Sequence, residues 1–236
     1  MPNTKFDRGN IQPPLMNNKK NELVAIIAGA TGLVGRELTE LVLTSPRYTD
    51  VHTIGRRAPS IVHKKLHSIA SDLQTIPPLP AVDDAFCCLG TTIRKAGSQG
   101  AFRAVDFDMV LNFAKAAKQA GARRFLVVSA LGANARSSVF YNRVKGEMEQ
   151  ALRELDFKSL AIFRPSLLVG ERVEARISER VGIAVFSALA PLMIGPARKV
   201  RPVEAKVVAR SMFTAAANDM PRVTVVESDE IAGLTG

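Results

Sequence analysis

An apolar run, Ala25-Ile26-Ile27-Ala28, ends in three glycines at Gly29, Gly32 and Gly35, and an amphipathic pattern begins at once with Val34, Leu38, Leu41 and Val42 on one face. This reads as strand, tight turn, helix, and it leaves few folds open. Gly29 serves a backbone angle that side chains disfavour. Gly32 lets a ligand approach the main chain, and Gly35 lets the helix pack close to the strand. The turn residues Thr31, Leu33 and Val34 belong to the same cradle. Free amides at the helix start, together with the helix dipole, favour an anion there, and a pyrophosphate is the natural occupant. The spacing is G-x-x-G-x-x-G rather than the G-x-G-x-x-G of ordinary dehydrogenases; a merely structural turn is the alternative reading of three glycines taken alone.

The downstream residues bear on that choice. Val51 to Gly55 reads as a second strand and is followed by Arg56-Arg57. In dinucleotide folds this strand end faces the adenosine ribose, where an acid selects NAD and arginine accommodates a 2′-phosphate. Two arginines and no acid predict NADP(H), against the reading of a solvated surface pair. Lys65 to Ser71 reads as a third strand leading to Asp72 and Leu73. Asp72 is placed to accept from the adenine amino group, or else to cap a turn. Val82 to Gly90 reads as a central buried strand in which Cys87 and Cys88 pack as small hydrophobes. At its carboxyl end, Leu89, Gly90 and Thr91 lie where a cofactor passes. A long helix is expected over 102–120, with Val105, Met109, Phe113, Ala116 and Ala117 inward and Gly121 closing it. His52, His63 and His67 lack a metal-ligand pattern, and no metal is assigned.

The chain has 236 residues, 47% of them hydrophobic, enough for one α/β domain with a full core. The net charge of +10 is scattered without an aromatic-interleaved basic stripe, so no nucleic-acid partner is expected; the charge fits a cleft that attracts a phosphate-rich cofactor. Residues 1–22 are polar, contain Pro13-Pro14 and lack the apolar core of a secretory signal, so they read as a flexible tail. Two adjacent cysteines cannot form a disulfide framework and point to a reducing compartment. Together these predict a cytoplasmic location. The uncharged run 181–197 is close to the lower limit of about 17 residues for a bilayer span. Its Gly182, Pro191 and Gly195 favour a buried or pocket-lining helix, with peripheral membrane contact left open.

The chemistry begins at Ser129, at the end of a fifth strand from Arg124. A helix follows with Phe140, Val144, Met148, Leu152 and Leu155 at apolar spacing, and it carries Tyr141 and Lys145 four apart on one face. An ammonium beside a phenol lowers the tyrosine pKa from about 10, which would make Tyr141 an acid for a carbonyl oxygen or a base for an alcohol. Ser129 can hold the same oxygen, and Lys145 can hold the nicotinamide ribose. A solvated helix face is the default for Tyr-x-x-x-Lys. The order of glycine turn, strand-end serine and this pair gives it specificity.

With these residues in place, the chain resembles the atypical short-chain dehydrogenases/reductases, and within them the Tat-interacting-protein (HTATIP2-like) group. The resemblance is carried by Gly29–Gly35, Ile54-Gly55-Arg56-Arg57, Cys87-Cys88-Leu89-Gly90-Thr91-Thr92, Lys95-Ala96-Gly97, Val105-Asp106, Tyr141 through Glu147 and Phe163-Arg164-Pro165. It implies a Rossmann sheet, NADPH at Gly29–Gly35 and Arg56-Arg57, and a Ser129–Tyr141–Lys145 triad. It also implies a loop after Pro165 over the nicotinamide. Ser166 departs from the glycine common at that position, which touches carboxamide contacts. Some members of the group are known mainly as regulators.

The expected architecture is a Rossmann-type doubly wound parallel sheet with a small helical C-terminal substrate lobe: one domain over 23–236, its substrate-covering segment at about 166–202. A sixth strand is expected at 159–164, a helical lid over 171–190, a helix with Val207, Val208 and Met212 inward, and a last strand at 223–226. The function expected is NADPH-dependent hydride transfer on an apolar or small carbonyl or alcohol substrate. An NADPH-binding regulatory or assembly protein with a protein partner is the alternative. Sugar-nucleotide epimerase chemistry would need a larger substrate domain than the roughly 70 residues after the sixth strand supply. A homodimer stays open.

Overall fold

In a computed structural model of the chain, which describes residues 22–170, 201–218 and 220–235, the strand β1 (Leu23–Ala28) pairs in parallel with β2 (Tyr48–Gly55) on one side and β4 (Asp84–Cys87) on the other. Alternate residues of β1 feed opposite layers. Ala25 and Ile27 enter a cluster with α1 (Leu33–Thr44), while Ile26 and Ala28 enter a second cluster on the other face. A strand buried on both faces reads as a continuous apolar run, which is why this one was visible in the sequence.

Seven parallel strands stand in the order β3-β2-β1-β4-β5-β6-β9, with β3 at Leu66–Ala70, β5 at Arg124–Val128, β6 at Ser159–Arg164 and β9 at Val223–Glu227. The order reverses between β1 and β4, and a doubly wound sheet opens its ligand crevice at the carboxyl ends flanking such a reversal. One face is covered by α1 and α6 (Ala205–Ala217), the other by α4 (Met109–Gln119) and α5 (Phe140–Glu154). The two-stranded ladder of β7 (Leu168–Val169) and β8 (Val203–Glu204) stands apart from the main sheet. At the opposite end of the sheet, buried Asp84 accepts from the Tyr48 hydroxyl at 2.7 Å and from Arg124 Nε at 2.5 Å. These contacts tie β2, β4 and β5 together far from the crevice.

Two short helices, α2 (Ile93–Ala96) and α3 (Gln99–Arg103), precede α4. Between α3 and α4 the helix runs through a π turn at Ala104–Asp108. The extra residue in that turn shifts the helical phase. The inward residues are Phe102, Asp106, Val110, Phe113, Ala114 and Ala117, whereas Val105, Met109 and Ala116, expected inside, are only half-buried. The buried face, spaced by three and four residues through Asp106 and Val110, is set one residue on from the expected Val105 and Met109.

The remaining elements follow their patterns. Cys87 is fully buried in one layer and Cys88 packs against the other. In α6, Val208 and Met212 are buried and Val207 half-buried, and α6 packs against α1 on one side and the C-terminal turn Ile231–Thr235 on the other. The expected lid at 171–190, the uncharged run 181–197, and residues 1–21 of the expected tail lie outside the described residues. No helix among the described residues is long and apolar enough to cross a membrane.

Candidate functional site

The glycine turn meets the loop after β4 at the sheet reversal. Gly29 has φ +84°, and a Cβ there would lie 2.6 Å from the carbonyl carbon and oxygen of Cys88. A Cβ at Gly35 would lie 2.1 Å from Gly29 O. Both positions therefore require glycine, one for its angle and its neighbour, the other for close approach of α1 to the turn. Gly32 is the N-cap of α1 and supplies no side-chain hydrogen bond, and the first turn carries no acid. The amides opening α1 thus lack a side-chain acceptor, while Thr31 and Gly32 are exposed. A pyrophosphate fits this donor set. Arg56 and Arg57 are exposed directly after β2 and form no ion pair with any described residue.

Asp72 accepts from Gln74 N at 2.9 Å and Thr75 N at 3.3 Å, so its carboxylate closes a local turn, the second of its two readings. Leu73 has φ +66°, and its side chain lies in the core with Ile54 and Val82 rather than in the groove. Leu89 packs against the same layer, and Gly90 is exposed. The amide of Thr91 donates to Asp106 Oδ2 at 2.9 Å.

Tyr141 and Lys145 lie on one face of α5, as their spacing requires. Lys145 is 3% exposed, and its Nζ lies 2.8 Å from Asp106 Oδ1, itself on a residue 1% exposed. The contact is ionic rather than an aligned hydrogen bond. Nζ also donates to Val128 O at 3.5 Å, which brings it to the end of β5. The ring of Tyr141 packs on Phe102, with centroids 5.1 Å apart.

The electrostatics depart from the expected lowering of the tyrosine pKa. Burial raises the Tyr141 phenol above its ordinary value; Lys145 pulls it down, and Asp106 pushes it up. The ammonium does not prevail, because burial of the phenol outweighs it, with Asp106 adding to the rise. Burial works against the Lys145 charge, but Asp106 and then Tyr141 outweigh it, and the lysine is held above its usual range.

Ser129 stands just beyond β5, 4% exposed, and its hydroxyl donates to Glu149 Oε1 at 2.6 Å. Glu149, 2% exposed, is gripped by Arg164 through Nε at 3.0 Å and Nη2 at 2.6 Å, and Arg164 Nη1 reaches Glu227 at 2.9 Å. The structure thus brings Tyr141 and Lys145 together with Asp106 and gives the Ser129 hydroxyl a different partner. Pro165 is buried and its carbonyl accepts from Leu131 N at 2.9 Å. The Ser166 hydroxyl donates to the carbonyl of Arg201.

The sequence reading gave no role to Asp106, Glu149 or Arg164. Glu149 was accessible, because Tyr141, Lys145 and Glu149 are successive i+4 positions and a polar residue on a buried stripe calls for a partner. Asp106 was accessible in the same way, four residues before Val110 and seven before Phe113 on one helical face.

The HIM1 family model matches residues 54–193. The protein HTATIP2 of Rattus norvegicus is 36% identical over 181 residues, covering 74% of this chain and 73% of its own. The chain belongs to the HIM1 family. It is also similar to FMP52-1 of Scheffersomyces stipitis, 38% identical over 154 residues, 63% of this chain and 68% of that protein. Among solved structures, MoeE5 in complex with UDP-glucose and NAD superposes with a TM-score of 0.65 at 16% identity, covering 89% of this chain and 80% of its own. That likeness is one of fold, a Rossmann sheet of the short-chain dehydrogenase/reductase type. It agrees with the HIM1 chain's strand order. The FMP52 relatives are named as mitochondrial, and this overturns the expected cytoplasmic location. The lack of a secretory apolar core speaks only against the secretory route. A mitochondrial address is amphipathic, arginine-rich and poor in acids, and needs no such core.

Proposed function

We propose that this HIM1-family protein is an NADPH-dependent oxidoreductase acting on a carbonyl or alcohol substrate. The observation that carries the reading is the buried Lys145 and neighbouring Tyr141 at the carboxyl ends of β4 and β5, beside a glycine turn whose helix start lacks a side-chain cap. Amides of Leu33, Val34 and Gly35 would hold the pyrophosphate, and Arg56 and Arg57 a 2′-phosphate. When bound, the dinucleotide supplies or accepts the hydride. Tyr141 Oη gives a proton to the substrate oxygen or takes one from it. Lys145 has three N–H donors; Val128 O takes one and Asp106 meets the charge without an aligned hydrogen bond, so a donor is left for a ribose hydroxyl. Ser129 acts through Glu149 as a brace for the β5 loop.

One observation favours a second reading, an NADPH-binding regulatory protein of low turnover. The Lys145 charge is engaged by Asp106 and the Ser129 hydroxyl by Glu149, so two members of the expected triad already have partners.

Titration with NADPH and NADH, followed by cofactor fluorescence, tests the site. Tight NADPH binding lost in Arg56→Ala/Arg57→Ala upholds it, and no binding of either dinucleotide overturns it. Tyr141→Phe should keep NADPH binding and lower turnover by about 10²–10⁴-fold. Equal turnover would remove Tyr141 from the chemistry. Binding without turnover on a panel of carbonyl compounds leaves the regulatory reading.

A further inference from the structure

Resting on the dinucleotide reading above, we propose that the turn after β3, residues 71–75, leaves the base of the cofactor unread. The site then takes a purine dinucleotide by its phosphates and its nicotinamide end and accepts hypoxanthine in place of adenine. Ser71 is the residue that sets this tolerance.

The turn stands where a base would lie. β3 is the neighbour of β2, and the Ser71 amide donates to Gly55 O at 3.1 Å, immediately before Arg56. In a dinucleotide fold the adenosine lies over these strand ends. Adenine presents an acceptor at N1 and a donor at N6. Hypoxanthine presents a donor at N1 and an acceptor at O6. The groups of this turn that could tell the two apart are an amide aimed at N1 and a carboxylate aimed at N6, which means Leu73 N and Asp72.

Both are engaged inside the turn. Leu73 N donates to Ser71 Oγ at 3.0 Å, and Ser71 Oγ donates in turn to Thr75 O at 3.2 Å. Asp72 Oδ1 accepts from Gln74 N at 2.9 Å and Thr75 N at 3.3 Å, so the carboxylate is turned back toward its own chain. From α4, Asn112 Nδ2 donates to Leu73 O at 3.2 Å and to Gln74 O at 3.1 Å. Leu73 has φ +66°, an outlier for a bulky residue, and its side chain lies in the core with Ile54 and Val82. A strained residue persists only where its surroundings over-determine it. Here Ser71, Asn112 and the core do so together. Turning the Leu73 amide toward a base would break the bond to Ser71 and draw on a buried leucine.

The contacts left for the adenosine end are blind to the base. Arg56 and Arg57, exposed after β2, offer charge to a phosphate and a guanidinium plane to the face of either purine. Neither contact depends on what stands at N1 or C6. Without the Ser71 hydroxyl the Leu73 amide is free, and a free N–H suits N1 of adenine and opposes N1–H of hypoxanthine. A site with such a donor rejects the analogue that cannot pair with it.

The test titrates the full chain with NADPH and with its hypoxanthine analogue, reduced deamino-NADP, both followed by nicotinamide fluorescence. The readout is the Kd of the analogue divided by that of NADPH. In wild type this ratio should stay below about fivefold, the worth of one net hydrogen bond. Ser71→Ala should raise it by about fivefold, and Ser71→Thr, which keeps a hydroxyl, should keep the wild-type ratio. A change of stability alone weakens both ligands alike, so a merely structural role for Ser71 would leave the ratio unmoved. A wild-type ratio above about fivefold overturns the proposal alone, since the dinucleotide still binds. A Ser71→Ala ratio equal to wild type overturns the role of Ser71. Binding of neither dinucleotide overturns the oxidoreductase reading and the proposal with it. If Ser71→Ala does not fold by circular dichroism, Ser71→Gly takes its place under the same criteria, and the wild-type ratio still decides.

Discussion

Ser129 and Glu149 are joined by a hydrogen bond of 2.6 Å in which the serine hydroxyl is the donor. A hydroxyl has one proton, and here it points into the protein, toward a carboxylate that two nitrogens of Arg164 also grip. The serine oxygen is left as an acceptor. It can receive a proton from a neighbouring hydroxyl, but it cannot donate to a substrate carbonyl without leaving Glu149.

Ser129→Ala should therefore lower turnover far less than Tyr141→Phe, by about tenfold or less, the equivalent of one hydrogen bond of about 1 kcal/mol. Glu149→Gln should act on the fold instead. It leaves Arg164 partly buried without its main counter-charge, and breaking a buried pair costs about 3–5 kcal/mol. Kinetics of the first variant and urea unfolding of the second check these two outcomes. A Ser129→Ala protein as inactive as Tyr141→Phe would return the serine to the substrate.

Gly35→Ala would place a methyl 2.1 Å from the Gly29 carbonyl oxygen, and main chain on both sides leaves nothing flexible to yield. The expected cost is about 1–3 kcal/mol, together with loss of dinucleotide binding as α1 withdraws from the turn. Gly55→Ala is the matched control: it lies at the end of β2, and its added Cβ meets nothing within 4 Å. That variant should stay within about 0.5 kcal/mol of wild type. Thermal unfolding with and without NADPH separates the two effects.

This contrast shows what could be read from the chain alone. The strand β1, its glycine turn and α1 were legible because local chemistry and global fold agree there: the apolar run is buried on both faces, and each glycine answers a steric demand made within a few residues. The Tyr141–Lys145 pair was legible because i and i+4 share a face in any helix. The partners of that pair were not. Asp106 lies 39 residues before Lys145 in the chain, and no helical count says which distant residue it meets; the polarity of Glu149 on a buried stripe makes sense only once Arg164 arrives from β6. The direction of the Tyr141 shift was not legible either: a lysine lowers a phenol's pKa, but burial of the ring, which the sequence did not reveal, raises it more.

His52 and His67 stack on neighbouring strands with ring centroids 5.1 Å apart, and Asp50 lies 3.2 Å from His67 Nε2. Burial, then the neighbouring His67, holds His52 below its ordinary pKa, with Asp50 opposing. A base depressed on folding stabilises the fold above its unfolded value of about 6.5. That contribution is lost as pH falls through the lower folded value. Melting temperature should therefore decline on acidification below about pH 6.5, and His52→Gln should flatten the decline. An unchanged slope in the variant would place the acid sensitivity elsewhere.

Lys145 and Asp106 give the last test, a stability cycle on the ion pair itself. Lys145→Met leaves a buried carboxylate with the Thr91 amide as its donor among the described residues, and Asp106→Leu leaves a buried ammonium near the Val128 carbonyl. Each single change should cost about 3–5 kcal/mol in urea unfolding, because an unpaired buried charge carries its full desolvation cost. The double change removes both charges and keeps apolar bulk, so it should cost less than the sum of the two, by a coupling of about 1–3 kcal/mol. A double variant as destabilised as the sum of the singles would mean that the two charges do not act as a pair.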